Sequence, residues 1–229
     1  VKRFYKVAAA VREEGGLGVR LDGRPVKTPG RNGLVVPTEA LAEAIAAEWA
    51  GQDEEIDPRS MPLTGLANAA IDRVAPDPEA FARSLARYGE SDLLCYRAEG
   101  PQPLVRRQAD LWDPLLDWAR RRFGAEFQIV RGVMHRPQPE PTLAALRGAV
   151  SLYDPFRLAA LSPLVTVSGS LLVALALAEG EIGLEPAWSA ATLDEAWQAE
   201  QWGDDPLAAA AHDERRRDFD GGYLFLTLL

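Results

Sequence analysis

The segment Leu17–Val36, LGVRLDGRPVKTPGRNGLVV, carries two turn clusters within twenty residues. Leu17, Val19 and Leu21 alternate with small or polar neighbours, the period of a half-covered strand. Asp22-Gly23 then supplies the residues that a tight hairpin needs, because both accept a positive φ. A third short strand follows through Val26, and Pro29-Gly30-Arg31-Asn32-Gly33 turns the chain again before Leu34-Val35-Val36. Upstream, Phe4 to Val11 is a β-type run closed by Glu13-Glu14-Gly15-Gly16. The pattern predicts a small antiparallel sheet with one face that must be covered.

The cover is predicted next. Thr38 is placed to cap a helix whose Leu41, Ile45 and Trp49 recur at spacing four, ending near Gly51. On this pattern Trp49 is structural and closes the helix onto the sheet. Leu63, Leu66, Ala70, Ile71 and Val74 repeat the pattern, and Asp77-Pro78-Glu79 opens a further helix stopped by Gly89. From there the chain reads as helical. Leu104, Gln108, Leu111, Leu115 and Trp118 share one face down to Gly124, with Pro114 as a kink or a fresh start. Ala125 to Arg131 alternates like an isolated strand, and residues 136 to 141 form a Pro-rich loop. Later helices start near Leu143, at Asp154-Pro155, at Pro163 and at Pro186, and Arg120–Arg122 and Arg215–Arg217 suit last turns. The fold class expected is α+β, with an α+β domain over 1–88 and an all-helical domain over 89–229.

Charge is distributed unevenly. No Lys or Arg occurs from Leu158 to Glu214, while ten carboxylates lie between Glu179 and Glu214; the remainder of the chain holds 24 acids against 25 bases. The net charge of −9 therefore belongs to one segment, which predicts a polarised surface suited to a basic partner and argues against nucleic acid. One cysteine, Cys95, excludes an internal disulfide and fits a reducing compartment, and Val1-Lys2-Arg3-Phe4 shows neither signal nor transit character, so a cytoplasmic location is expected. The apolar run Pro163–Ala178 is short for a bilayer and contains Thr166, Ser168, Gly169 and Ser170, which predicts a buried helix and no membrane insertion.

Residues that carry chemistry are sparse. His135 and His212 sit in no metal-ligand spacing, so no metal is expected. Gly15-Gly16-Leu17-Gly18 precedes a strand, whereas a dinucleotide loop must open a helix, and no Walker or nucleophile-elbow motif is present. No nucleotide or other cofactor is therefore expected. Cys95 lies in an apolar run and is expected as a buried thiol.

The acidic helix offers more. From Trp188, helical offsets fall on Ala191, Glu195, Gln198 and Trp202, placing an acid and an amide between two indoles, while Ala190, Leu193 and Trp197 form a separate stripe towards the core. A carboxylate among indoles suits an Arg or backbone amide of another protein; the alternative is a buried Glu satisfied by an internal Arg.

Taken in order, several motifs resemble one family, the chaperone that assembles the catalytic head of the F-type ATP synthase by binding its free alpha subunit, known from mitochondria and some bacteria. They are Arg3-Phe4-Tyr5-Lys6, the run from Leu21 to Pro29, Ala47-Glu48-Trp49 with Gln52, Met61-Pro62-Leu63-Thr64, Asp92 to Arg97, Gln108, Trp112-Asp113-Pro114-Leu115, Asp194-Glu195 to Gln198, and Trp202-Gly203. The resemblance implies a small α+β domain followed by a helical one, chaperone activity without ATP hydrolysis, and a matrix location in organellar relatives. It is not an enzyme on this reading. The partner-binding residues expected are Trp188, Glu195, Gln198, Trp202, Asp204 and Asp205. Leu207 stands where the resemblance leads one to expect an acid. The competing expectation is a small-molecule enzyme using Glu195, Asp92 or Asp113 as acid/base in a cleft between the domains.

Overall fold

The computed structural model describes residues 1–132, 134–203 and 206–229. The chain divides into two compact units. The first comprises Val1–Pro78, Asp154–Ala160 and Gly221–Leu229, and the second Glu79–Tyr153 and Leu161–Asp220.

In the first unit β1 (Ala8–Glu13) pairs antiparallel with β2 (Gly16–Leu21), Ala8 opposite Leu21. On β2 also pair β3 (Arg24–Pro25) and β4 (Val35–Val36), as the turn clusters predict. Asp22 and Gly23 both take positive φ, 48° and 80°. A mirror-type turn requires this and matches the strand twist. The Asp22 carboxylate accepts from the amides of Lys6 and Val7 at 2.9–3.1 Å, and these bonds hold its pKa below the usual range.

Helix α1 (Glu39–Ala50) lies against β1 and β2, burying Leu41, Ala42, Ile45 and Ala46, and the Thr38 hydroxyl accepts from Leu41 N at 3.3 Å. Trp49 is half-buried, its ring edge-on to Tyr5 and its carbonyl accepting from the Tyr5 hydroxyl at 2.7 Å. Glu48, the residue before Trp49, caps the following helix α2 (Pro62–Ala69): its carboxylate accepts from Leu63 N, Thr64 N and the Thr64 hydroxyl at 2.7–2.8 Å. Burial raises its pKa despite these bonds. Asp72, in the π-helical turn Ala70–Val74, accepts from the Thr28 hydroxyl, Gly30 N and the Asn32 amide at 2.7–2.9 Å. Its carboxylate would lie 2.7 Å from a Cβ on Gly30, which is why that turn needs glycine.

Among the described residues eight further α-helices follow: α3 (Pro78–Ala86), α4 (Gln102–Phe123), α5 (Glu140–Ser151), α6 (Pro155–Ser168), α7 (Leu171–Ala178), α8 (Leu184–Ala191), α9 (Leu193–Trp202) and α10 (Pro206–Thr227). In the second unit α4 packs against α5, α7, α8 and α9. It carries Arg120–Arg122 in its last turn and ends where Gly124 turns left-handed. It continues through Pro114 on a stretch where Asp110 and Pro114 are both exposed.

Four expectations are corrected. Pro163 lies inside α6; the fully buried helix is α7, which starts after Gly169 turns left-handed and is capped by the Ser170 hydroxyl on Val173 N at 3.1 Å. The strand at Ala125 to Arg131 shrinks to β6 (Val130–Arg131) and is not isolated, since it pairs in parallel with β5 (Tyr96–Arg97). Arg215–Arg217 lie within α10, which runs on through Gly221 and Gly222 to Thr227. Leu111 leaves the α4 core stripe and is 39% exposed, its place taken by fully buried Trp112.

Candidate functional site

The acidic motif residues fall into two classes. Asp92 is fully buried: its carboxylate accepts from the Ser170 hydroxyl at 2.7 Å and from the amides of Leu94 and Leu172 at 3.0–3.1 Å. It thereby joins the turn Leu93–Cys95 to the start of α7. Burial pushes its pKa up to about 6, and burial with the neighbouring Asp92 charge pushes the Cys95 thiol up to about 12. A thiol so protonated and enclosed is no nucleophile. Gln108 is buried on α4, where its amide accepts from Ala98 N at 2.9 Å and donates to Asp194 at 2.8 Å. Trp112 donates its indole N–H to the Ala190 carbonyl at 2.8 Å, and the Arg97 guanidinium stands 5.2 Å over its ring while pairing with Asp113 at 2.7 Å. These groups hold α4 to α8 and α9. Asp92 and Asp113 are thus spent on backbone donors and on Arg97.

His135 bonds the Tyr96 hydroxyl at 2.8 Å, and His212 packs edge-on to Trp188. Among the described residues, no group of three or more His, Cys, Asp or Glu is placed to hold a metal, and no helix is long and apolar enough to cross a membrane.

The second class lies around α8, α9 and α10. The continuous helix expected from Trp188 to Trp202 is broken at Thr192, whose hydroxyl turns back on the Trp188 carbonyl at 2.9 Å. Trp188 therefore does not share a face with Glu195. It is 7% exposed, packed on Phe219 at 5.4 Å, with the Arg216 guanidinium 5.3 Å over its ring. Arg216 in turn binds Glu185 and Asp220, so Trp188 is part of the joint between α8 and α10. Glu195, Gln198 and Trp202 remain together on the exposed edge of α9, the Trp202 indole 79% exposed. Trp197 is half-buried beneath Arg107, whose guanidinium lies 4.9 Å over the ring. Asp204 and Asp205 lie outside the described residues, as does the Leu207 side chain.

The acidic segment is not without cations in space. Arg215 donates to both Glu195 oxygens at 2.8 and 3.0 Å, Arg107 to both Glu200 oxygens at 2.7 and 2.8 Å, and Arg122 pairs with Glu179. Their arginines hold the Glu185 and Glu200 carboxyls below the usual range. Arginines distant in sequence thus offset much of the polarity predicted. Glu195 has an internal basic partner in Arg215, yet it is not the buried acid of the alternative reading, its side chain being 49% exposed.

Beside α9 a cleft of about 280 Å³ opens between α4 and the α8–α9 turn, lined by Arg107, Asp110, Leu111, Ser189, Thr192, Leu193 and Ala196. Sequence reasoning missed it, because the exposure of Leu111 depends on Trp112 taking the core position. The volume lies just below that of ordinary small-molecule pockets, roughly 300–1,000 Å³.

Comparison with known proteins gives a consistent picture. Residues 2–120 match the family model described as ATP12 chaperone protein. Over 214 residues the chain is 27% identical to the mitochondrial protein atp12 of Schizosaccharomyces pombe, covering 88% of this chain and 74% of the relative. Over 262 residues it is 26% identical to the mitochondrial protein ATP12 of Saccharomyces cerevisiae, covering 95% and 80%. The crystal structure of Atp12 from Paracoccus denitrificans superposes with a TM-score of 0.94 at 46% identity, covering 99% of this chain and 97% of that one.

Proposed function

This chain belongs to the ATP12 chaperone family, and we propose that it captures the free alpha subunit of the F-type ATP synthase during assembly, without hydrolysing ATP. The observation that supports this reading most is the exposed edge of α9. There a large indole, Trp202, stands almost fully in solvent beside an amide and a carboxylate. Aromatic anchors with polar neighbours are the groups that dominate protein interfaces, and an indole in water at a helix end contributes little to the fold itself.

A free alpha subunit exposes the apolar surface by which it pairs with beta, and such a surface aggregates when uncovered. A chaperone must cover it and then yield. Glu195 is suited to that demand, because its exposed pair with Arg215 exchanges for a partner group at small net cost. Glu195, Gln198 and Trp202 are the contact residues in this proposal, together with Asp204 and Asp205. Trp188 supports the edge from the core. The working location proposed is the bacterial cytoplasm, the counterpart of the mitochondrial setting in the yeast relatives' names.

The test is affinity capture from a native lysate of the source organism. Recovery of the alpha subunit free of beta, followed by its release when beta is added, is the expected result. Recovery of beta, or of assembled enzyme only, contradicts the proposal.

A further inference from the structure

The cleft beside α9 has a lining that selects its guest by chemistry. Leu111, Leu193 and Ala196 form an apolar floor, and Arg107 and Asp110 stand on the α4 side. The positive charge is already committed: Arg107 binds both Glu200 oxygens and lies on the Trp197 ring. The negative one is free, since Asp110 makes no ion pair among the described residues and is exposed. The Thr192 hydroxyl already gives its proton to the Trp188 carbonyl, so it can only accept.

We propose, resting on capture of the alpha subunit as read above, that this cleft is a subsite for one long basic side chain, arginine or lysine, presented by that client. The aliphatic stem covers Leu111 and Leu193, and the cationic head reaches the Asp110 carboxylate. Such side chains bury their stems and keep the charge at a wet rim, the division this cleft offers. An acidic guest meets the Asp110 charge, and a wholly apolar guest desolvates that charge without compensation. The volume of about 280 Å³ suits a single side chain.

The experiment measures capture of purified alpha subunit by the parent chain and by Asp110→Lys, Asp110→Asn and Leu111→Ser, together with the melting temperature and sedimentation of each variant alone. Asp110 and Leu111 are at the surface, so the variants are expected to melt like the parent. Asp110→Lys should weaken capture by about tenfold or more, and Asp110→Asn less, the Asn deficit shrinking as salt is raised. Glu181→Lys, an exposed charge change on the same unit, should leave capture unchanged. Capture by Asp110→Lys within twofold of the parent overturns the subsite while leaving the chaperone reading intact. No capture by the parent removes both. Loss of self-association in Asp110→Lys alone assigns the cleft to a second copy of this chain and also overturns the proposal.

Discussion

Asp92 and Glu195 both belong to the motifs that carry the family resemblance, and they sit in opposite surroundings. Asp92 is enclosed, bound to one hydroxyl and two amides, with its pKa raised to about 6 by burial. Glu195 stands in solvent against one arginine. The contrast separates acids that build the scaffold from acids left available to a partner. Glu48 and Asp72 join Asp92 in the first group, each satisfying backbone donors of another segment.

The sharpest way to break this contrast is Asp92→Ala. It strands the Ser170 hydroxyl and the amides of Leu94 and Leu172 in a water-free place, and unsatisfied buried donors cost about 1–3 kcal/mol each. A loss of about 3–5 kcal/mol in urea unfolding is expected; a loss under about 1 kcal/mol would place Asp92 outside the scaffold group. Its titration supplies a second check. With the folded pKa raised above the unfolded value near 3.8, the stability linked to the bound proton is complete below about pH 4 and is lost as pH rises through about 6. The parent should therefore lose melting temperature across that window relative to Asp92→Asn, which has no proton to lose. A parallel profile for the two proteins contradicts the assignment.

Glu48→Ala should cost less, about 1–2 kcal/mol, the range for losing a helix cap. Smaller still is the effect expected of Trp202→Ala on stability, within about 0.5 kcal/mol, because the indole is 79% exposed. A Trp202→Ala variant that melts well below the parent would move that residue from the available surface into the scaffold.

The local signals in the sequence account for the sheet and most helix starts. Asp22-Gly23 can hardly do anything but turn, and Thr38 caps α1 by its own hydroxyl. What the sequence hid are joints made by residues distant along the chain. Thr192 breaks the acidic helix without a Pro or Gly to announce it, so Trp188 projects as a neighbour of Glu195 when it packs on Phe219. The segment reads as free of cations because Arg107, Arg122, Arg215 and Arg216 come from outside it. Along α9 alone, Glu195, Gln198 and Trp202 follow from helical spacing, and all three stay exposed although Glu195 pairs with Arg215.

The central claim is that the α9 edge is available to a partner and dispensable to the fold, and Glu195→Lys tests it most directly. The substitution gives up an exposed pair with Arg215, worth at most about 1 kcal/mol, and reverses the charge offered to the client. Capture of purified alpha subunit and thermal melting should be measured on the same preparation. The account predicts melting within a few degrees of the parent and capture weakened by about tenfold or more. Full capture by a folded Glu195→Lys variant, or its unfolding before any client is added, would contradict it.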